Sequence, residues 1–238
     1  MEELRIADVQ IEIVKKNIKN LHLSVHPPYG RVRIAAPKTM SDEAIRVFAI
    51  CKLSWIKKQR LKFQNQDRQS EREFISGESH YFLGRRYLLN VIYTSKKQRV
   101  ELIKNNQIDL YVRENSTTEQ REKVMSEWYR SFLKEQIPVI ISKWEKEIGV
   151  KVNSWGVKLM KTKWGTCNIE AKRIWLNLEL AKKSPRCLEY IIVHEMIHLL
   201  ERNHNDRFHA YMDMFMPNWK EIKAELNGMV FENSNWTY

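Results

Sequence analysis

The segment that most constrains this chain is residues 187–202, CLEYIIVHEMIHLLER. Ser184-Pro185 supplies an N-cap and a proline at the first helical position, so the segment reads as a helix. Cys187, Leu188, Ile191, Ile192, Leu199 and Leu200 make it apolar over most of its circumference, which predicts a buried helix. Yet it carries His194, Glu195 and His198. Residues four apart lie one turn apart on one face, so both imidazoles point at one place. Buried histidine and glutamate need partners, and a metal ion supplies them. The plainer alternative is a helix with ordinary polar groups, but H-E-x-x-H arises by accident in only roughly 2% of shuffled sequences of this usage. Four of the seven histidines, His194, His198, His204 and His209, also fall close together.

The chemistry suits one zinc ion per chain, which accepts imidazole nitrogen and lowers the pKa of bound water towards ~7. Glu195 then serves as the catalytic carboxylate, taking a proton from that water and passing it to a leaving amine. A catalytic zinc needs a third protein ligand and an open fourth position. Glu201, His204, Asp206, His209 and Asp213 are candidates. Asn203 can leave the helix in a left-handed conformation and fold the chain back. His204 is therefore favoured, with His209 second.

At 238 residues the chain has room for one or two domains. Its three cysteines, Cys51, Cys167 and Cys187, are too few and too scattered for a disulfide framework. The opening residues are acidic where a signal peptide is basic, and no apolar run approaches the ~20 residues that span a bilayer. The expectation is a soluble cytoplasmic protein without membrane association.

Residues 8–36 alternate as a β-meander around the His26–Gly30 turn. Ser41 caps a long helical pattern, 41–66, and strands return over 72–113. A second helix runs from Ser116-Thr117-Thr118 to Gly149, with Pro138 set to kink or split it. Two strands, VKLMKTKW and RIWLNLEL, precede the H-E-x-x-H helix. Another helix starts at Asp206 and is interrupted by Pro217. No internal repeat is visible. The fold class is α+β: a β-rich region over 1–115 with a long basic helix, then a helical half over 116–238 that carries the active-site helix.

Several of these segments together resemble the YgjP-like metallopeptidase family, relatives of the SprT-like and WLM zinc peptidases. They are Lys163-Trp164-Gly165-Thr166-Cys167-Asn168, Ile174 to Leu178, Leu188 to Glu195, Asn203-His204 and Phe208. The resemblance covers roughly residues 10–226. It implies a zincin-like C-terminal half, His194, His198 and His204 as zinc ligands, Glu195 as catalytic carboxylate, and a peptide or protein substrate. Family members more often carry serine where Thr166 stands, and His209 is not part of the pattern. Some members occur beside restriction–modification systems.

Zincins lay substrate along an edge strand by backbone pairing, so Trp164, Gly165 and Asn177 are candidate substrate-binding residues. Trp164 and Trp175 read equally well as core aromatics, and Cys167 better as a small buried residue than as a metal-site or redox thiol. The net charge of +12 favours acidic partners. The basic helix with Trp55, Lys57, Lys58, Arg60, Lys62, Phe63 and Arg68 can lie on a phosphate backbone, the alternative being a solvated face. The second reading of function is accordingly a nucleic-acid-associated zinc protein with a protease or structural role.

Overall fold

The computed structural model describes residues 2–26, 30–64, 72–104 and 106–228. Within them the chain divides into two compact units, 1–68 and 69–229. The division falls earlier than the change of pattern read at residue 115. The reason is packing: strands before residue 115 and helices after it share one apolar core.

In the first unit β1 (Glu2–Ile6), β2 (Val9–Lys16), β3 (His22–His26) and β4 (Arg31–Pro37) form one sheet. The order is β1-β2-β4-β3, so the expected meander is corrected: β4 inserts between β2 and β3 and runs parallel to β2. The two inner strands carry the fully buried side chains, Val9 and Ile11 on one and Val32, Ile34 and Ala36 on the other. The turn residues 27–29 lie outside the described residues. Ser41 accepts from Ala44 N and caps α1 (Asp42–Cys51). The chain breaks at Lys52 before α2 (Leu53–Gln64), so the long pattern is two helices. Lys57 pairs with Asp8 at 2.7 Å, which commits one cation of the basic face within the unit. The side chains of Lys62 and Phe63, and Arg68, lie outside the described residues.

The second unit opens with β5 (Ser79–Phe82), β6 (Arg85–Tyr93), β7 (Arg99–Ile103) and β8 (Gln107–Val112). Their order is β5-β6-β8-β7 with β6 parallel to β8. This is the plan of the first sheet, and it is carried without a sequence repeat. Thr117 and Gln120 close a capping box at the start of α3 (Thr118–Ile148). Met125, Tyr129, Leu133, Ile137, Ile141, Trp144 and Ile148 are buried along it, a stripe at i+4 and i+3 that faces the core. Pro138 does not split α3, and it lies on the exposed side, where water can serve the carbonyl it leaves without a donor. Gly149 ends the helix at φ 75°.

A three-stranded sheet follows, ordered β10-β11-β9: β9 (Ser154–Lys158), β10 (Gly165–Asn168) and β11 (Arg173–Asn177). The predicted strand VKLMKTKW therefore stops at Lys158, and residues 159–164 form a loop. A 3-10 turn (Leu178–Lys182) leads into α4 (Pro185–Ile197), with α5 (Asp206–Phe215) and α6 (Trp219–Gly228) beyond. No helix among the described residues is long and apolar enough to cross a membrane.

The stripe on α3 predicts opposite outcomes at two nearby positions. Leu133→Ala, at a fully buried site, is expected to cost about 2–5 kcal/mol in chemical denaturation. Pro138→Ala is expected to leave stability unchanged or raise it by up to about 3 kcal/mol.

Candidate metal centre

α4 is buried along nearly its whole length, and both His194 and Glu195 are within it at 3% and 1% exposure. Its end comes earlier than the pattern through residue 202 suggests: His198 is the C-cap, still in the right-handed helical region. The next turn is tied by Leu200 N and Glu201 N, both donating to Ile197 O. Asn203 does not adopt the left-handed conformation expected of it. The reversal is held instead by Asn203 N donating to the Glu201 carboxylate at 3.1 Å and by Asn205 capping α5. It returns His204 to the face of α4.

Three imidazoles meet there. His204 Nε2 lies 3.0 Å from His194 Nε2 and 3.1 Å from His198 Nε2. On the far side of its ring, His198 Nδ1 lies 3.1 Å from Glu201 O. A carbonyl can only accept, so Nδ1 carries the proton and Nε2 presents a bare lone pair. Burial holds His194 well below the usual histidine range, reinforced by the neighbouring histidines and Lys223. Burial likewise lowers His198 and His204. Three neutral imidazoles that each present a bare Nε2 lone pair repel one another, and a cation between them would turn that repulsion into coordination. A tetrahedral ion with nitrogen at about 2.0–2.1 Å needs nitrogens about 3.3 Å apart; the two separations from His204 come within a few tenths of an ångström of that, and all three ligand atoms lie within 4.8 Å of one another. His194, His198 and His204 form a group able to hold a metal ion.

Phe208, to which the sequence alone gives no role, supports all three. Its ring centroid lies 4.9 Å from His194, 4.9 Å from His198 and 4.7 Å from His204. His209 stands apart from the group, exposed and stacked on Trp219 with centroids 5.7 Å apart. Neither Asp206 nor Asp213 joins the group: Asp206 opens α5, and Asp213 accepts from Trp219 Nε1 at 2.7 Å.

The imidazoles open on a cleft of about 280 Å³ whose opposite wall is β10, with Gly165, Thr166 and Cys167 facing Glu195, His198 and His204. Lys163 and Arg202 also line it. Burial, then the Glu195 carboxylate, pushes the Cys167 thiol up to about 12, so it stays protonated. Of the three expected substrate-binding residues only Gly165 reaches the cleft. Trp164 and Asn177 are interior, at 1% and 0% exposure, which corrects their assignment. Asn177 Nδ2 donates to Met160 O and Lys163 O at 3.0 and 2.8 Å, and its Oδ1 accepts from Met160 N and Glu179 N. It latches the loop that leads into β10.

Gly165 is glycine for a steric reason. A Cβ there would stand 2.6 Å from Glu195 Oε1 and 2.8 Å from its Cγ. Gly165→Ala is expected to cost about 1–3 kcal/mol in denaturation because it drives a buried carboxylate from its place. Glu195→Ala in the same chain should recover most of that loss, and a purely additive double variant would disprove the contact.

Comparison with known proteins follows the same line. The model of the YgjP-like metallopeptidase domain matches residues 19–229, nearly the whole chain. No protein of curated function matches it. Among solved structures, the metallopeptidase zymogen of Pyrococcus abyssi abylysin is similar at TM-score 0.37 and 16% identity. The similarity covers 39% of this chain and 93% of that one. The metallopeptidase zymogen of Methanocaldococcus jannaschii jannalysin is similar at TM-score 0.34 and 23% identity, covering 38% and 93%. On the domain match the chain belongs to the YgjP-like metallopeptidase family.

Proposed function

We propose that this metallopeptidase is a zinc enzyme that hydrolyses peptide bonds with one ion per chain, held by His194, His198 and His204. The observation that carries the reading is the convergence of three Nε2 atoms at 3.0 and 3.1 Å beside a buried glutamate at the wall of an open cleft. His194, His198 and His204 would hold the zinc, which would supply Lewis acidity there, acidifying water towards ~7 and polarising a peptide carbonyl.

The chain's own residues do the rest. Glu195, held against Gly165, takes a proton from the attacking water on a carboxylate oxygen and delivers it to the leaving amine nitrogen. Glu201 O fixes the His198 tautomer, and Phe208 fixes the three rings, so the ligand atoms need little reorganisation. β10 pairs only with β11 among the described strands, which leaves its other edge for an extended peptide that adds a strand across the cleft.

Glu195→Gln is expected to keep the metal while peptide cleavage falls by about 10²–10⁴. Metal-free protein with undiminished cleavage would sink the reading. His204→Ala should lose zinc on dialysis against a weak chelator above about pH 7, where free imidazoles are neutral. His209→Ala should retain it. The reverse pattern would overturn the ligand assignment while leaving Glu195 its role.

A further inference from the structure

Two cations line the metal-centre cleft, and no proton-transfer step uses them. Lys163 ends the loop that enters β10, and Arg202 lies in the turn between α4 and His204. Both are exposed, and neither forms an ion pair or hydrogen bond through its side chain with any described residue. Lys163 precedes the buried Trp164, and its backbone is pinned by Asn177, so its ammonium is carried on a fixed stem. The one carboxylate among the lining residues is Glu195, already placed against Gly165. Glu201, the nearest acid in sequence to Arg202, accepts from Asn203 N and faces Arg207. A third cation on a separate element, Lys223 of α6, acts on both His194 and His204. Among the lining residues two cations, Lys163 and Arg202, therefore stand against the single carboxylate of Glu195.

We infer that Lys163 and Arg202 select substrates that bring a carboxylate into the cleft beside the scissile bond, either an Asp or Glu side chain or a free C-terminus. The inference rests on the peptidase reading and names the substrate class for that site. A carboxylate can accept from both cations, and the guanidinium of Arg202 can hold it with two parallel bonds. Complementary charge selects among peptides that the edge strand alone would treat alike, because strand pairing contacts only backbone. A nucleic-acid backbone offers the same sign of charge, but these cations stand at a concave site beside the histidines, where an extended peptide reaches and a duplex does not.

The experiment separates binding from chemistry. Fluorescent peptides of one length are titrated by anisotropy into zinc-loaded Glu195→Gln protein. One pair differs by Glu against Gln with both ends blocked, and a second by a free against an amidated C-terminus. The carboxylate member of at least one pair should bind about tenfold tighter, with the advantage shrinking as salt is raised. Whichever pair responds identifies the source of the carboxylate. In a Lys163→Glu/Arg202→Glu background the preference should invert towards a matched Lys peptide, a gain that misfolding cannot imitate. Equal binding within both pairs, or a preference that survives the double reversal, would overturn the inference. So would duplex DNA that displaces the peptide in the Lys163/Arg202 protein and not in the reversed one. Cleavage by the unsubstituted enzyme is read separately. Selective binding without cleavage would sustain the carboxylate site and refute the peptidase reading, whereas cleavage without selectivity would do the opposite.

Discussion

Burying imidazoles and a carboxylate side by side in an apolar helix is costly unless each finds a partner, and the architecture of the second unit answers that cost. His194 and Glu195 are almost wholly shielded from bulk water, at 3% and 1% exposure, because α4 is covered by α3, α5, α6 and the three-stranded sheet. Their side chains must therefore be completed from outside the helix. Strand β10 completes the glutamate by coming close enough that only a glycine fits. The turn after α4 completes the histidines by bringing His204 back.

The β10 strand is itself held from behind. Asn177, fully buried at the end of β11, gathers the 160–164 loop through both its amide atoms, and Asn177 N donates to Trp164 O. Trp164 then lies under the Lys183 ammonium, 5.2 Å from its centroid, while Lys183 donates to Leu226 O near the end of α6. The elements that surround the metal centre are thus tied to one another through groups that never reach the cleft. Rigidity of this kind is what a constellation of donor atoms requires if it is to be ready before any ligand arrives.

Sequence reading succeeded where the physics is local. The i,i+4 spacing of His194 and His198, the cap at Ser41, the helix start at Asp206 and the Gly149 stop all depend on neighbours within a turn. It erred where partners are distant. Gly165 and Glu195 are thirty positions apart in the chain, and no spacing announces that one makes room for the other. Nor does anything in the run Lys182-Lys183-Ser184 announce that Lys183 is 1% exposed, where burial pushes its pKa down to about 7. The first sheet looked like a meander because alternation reports which face is buried and not which strand lies beside which. Trp164 and Asn177 lie on or beside strands expected to receive a substrate, and which of their side chains turn inward is decided by packing that strand pattern does not reveal.

The three imidazoles lie within a short stretch of chain, the first and last being ten positions apart. A cross-link that closes so short a loop removes little freedom from an unfolded chain, less than the ~3 kcal/mol of a fifteen-residue loop. An ion seated there has little leverage as a staple. The apolar core of the second unit runs from Phe74 to Leu226 and includes Phe208 and Met212 next to this segment. In small zinc modules metal and fold are inseparable; a scaffold with a large core of its own would leave such an ion free to act as a reagent.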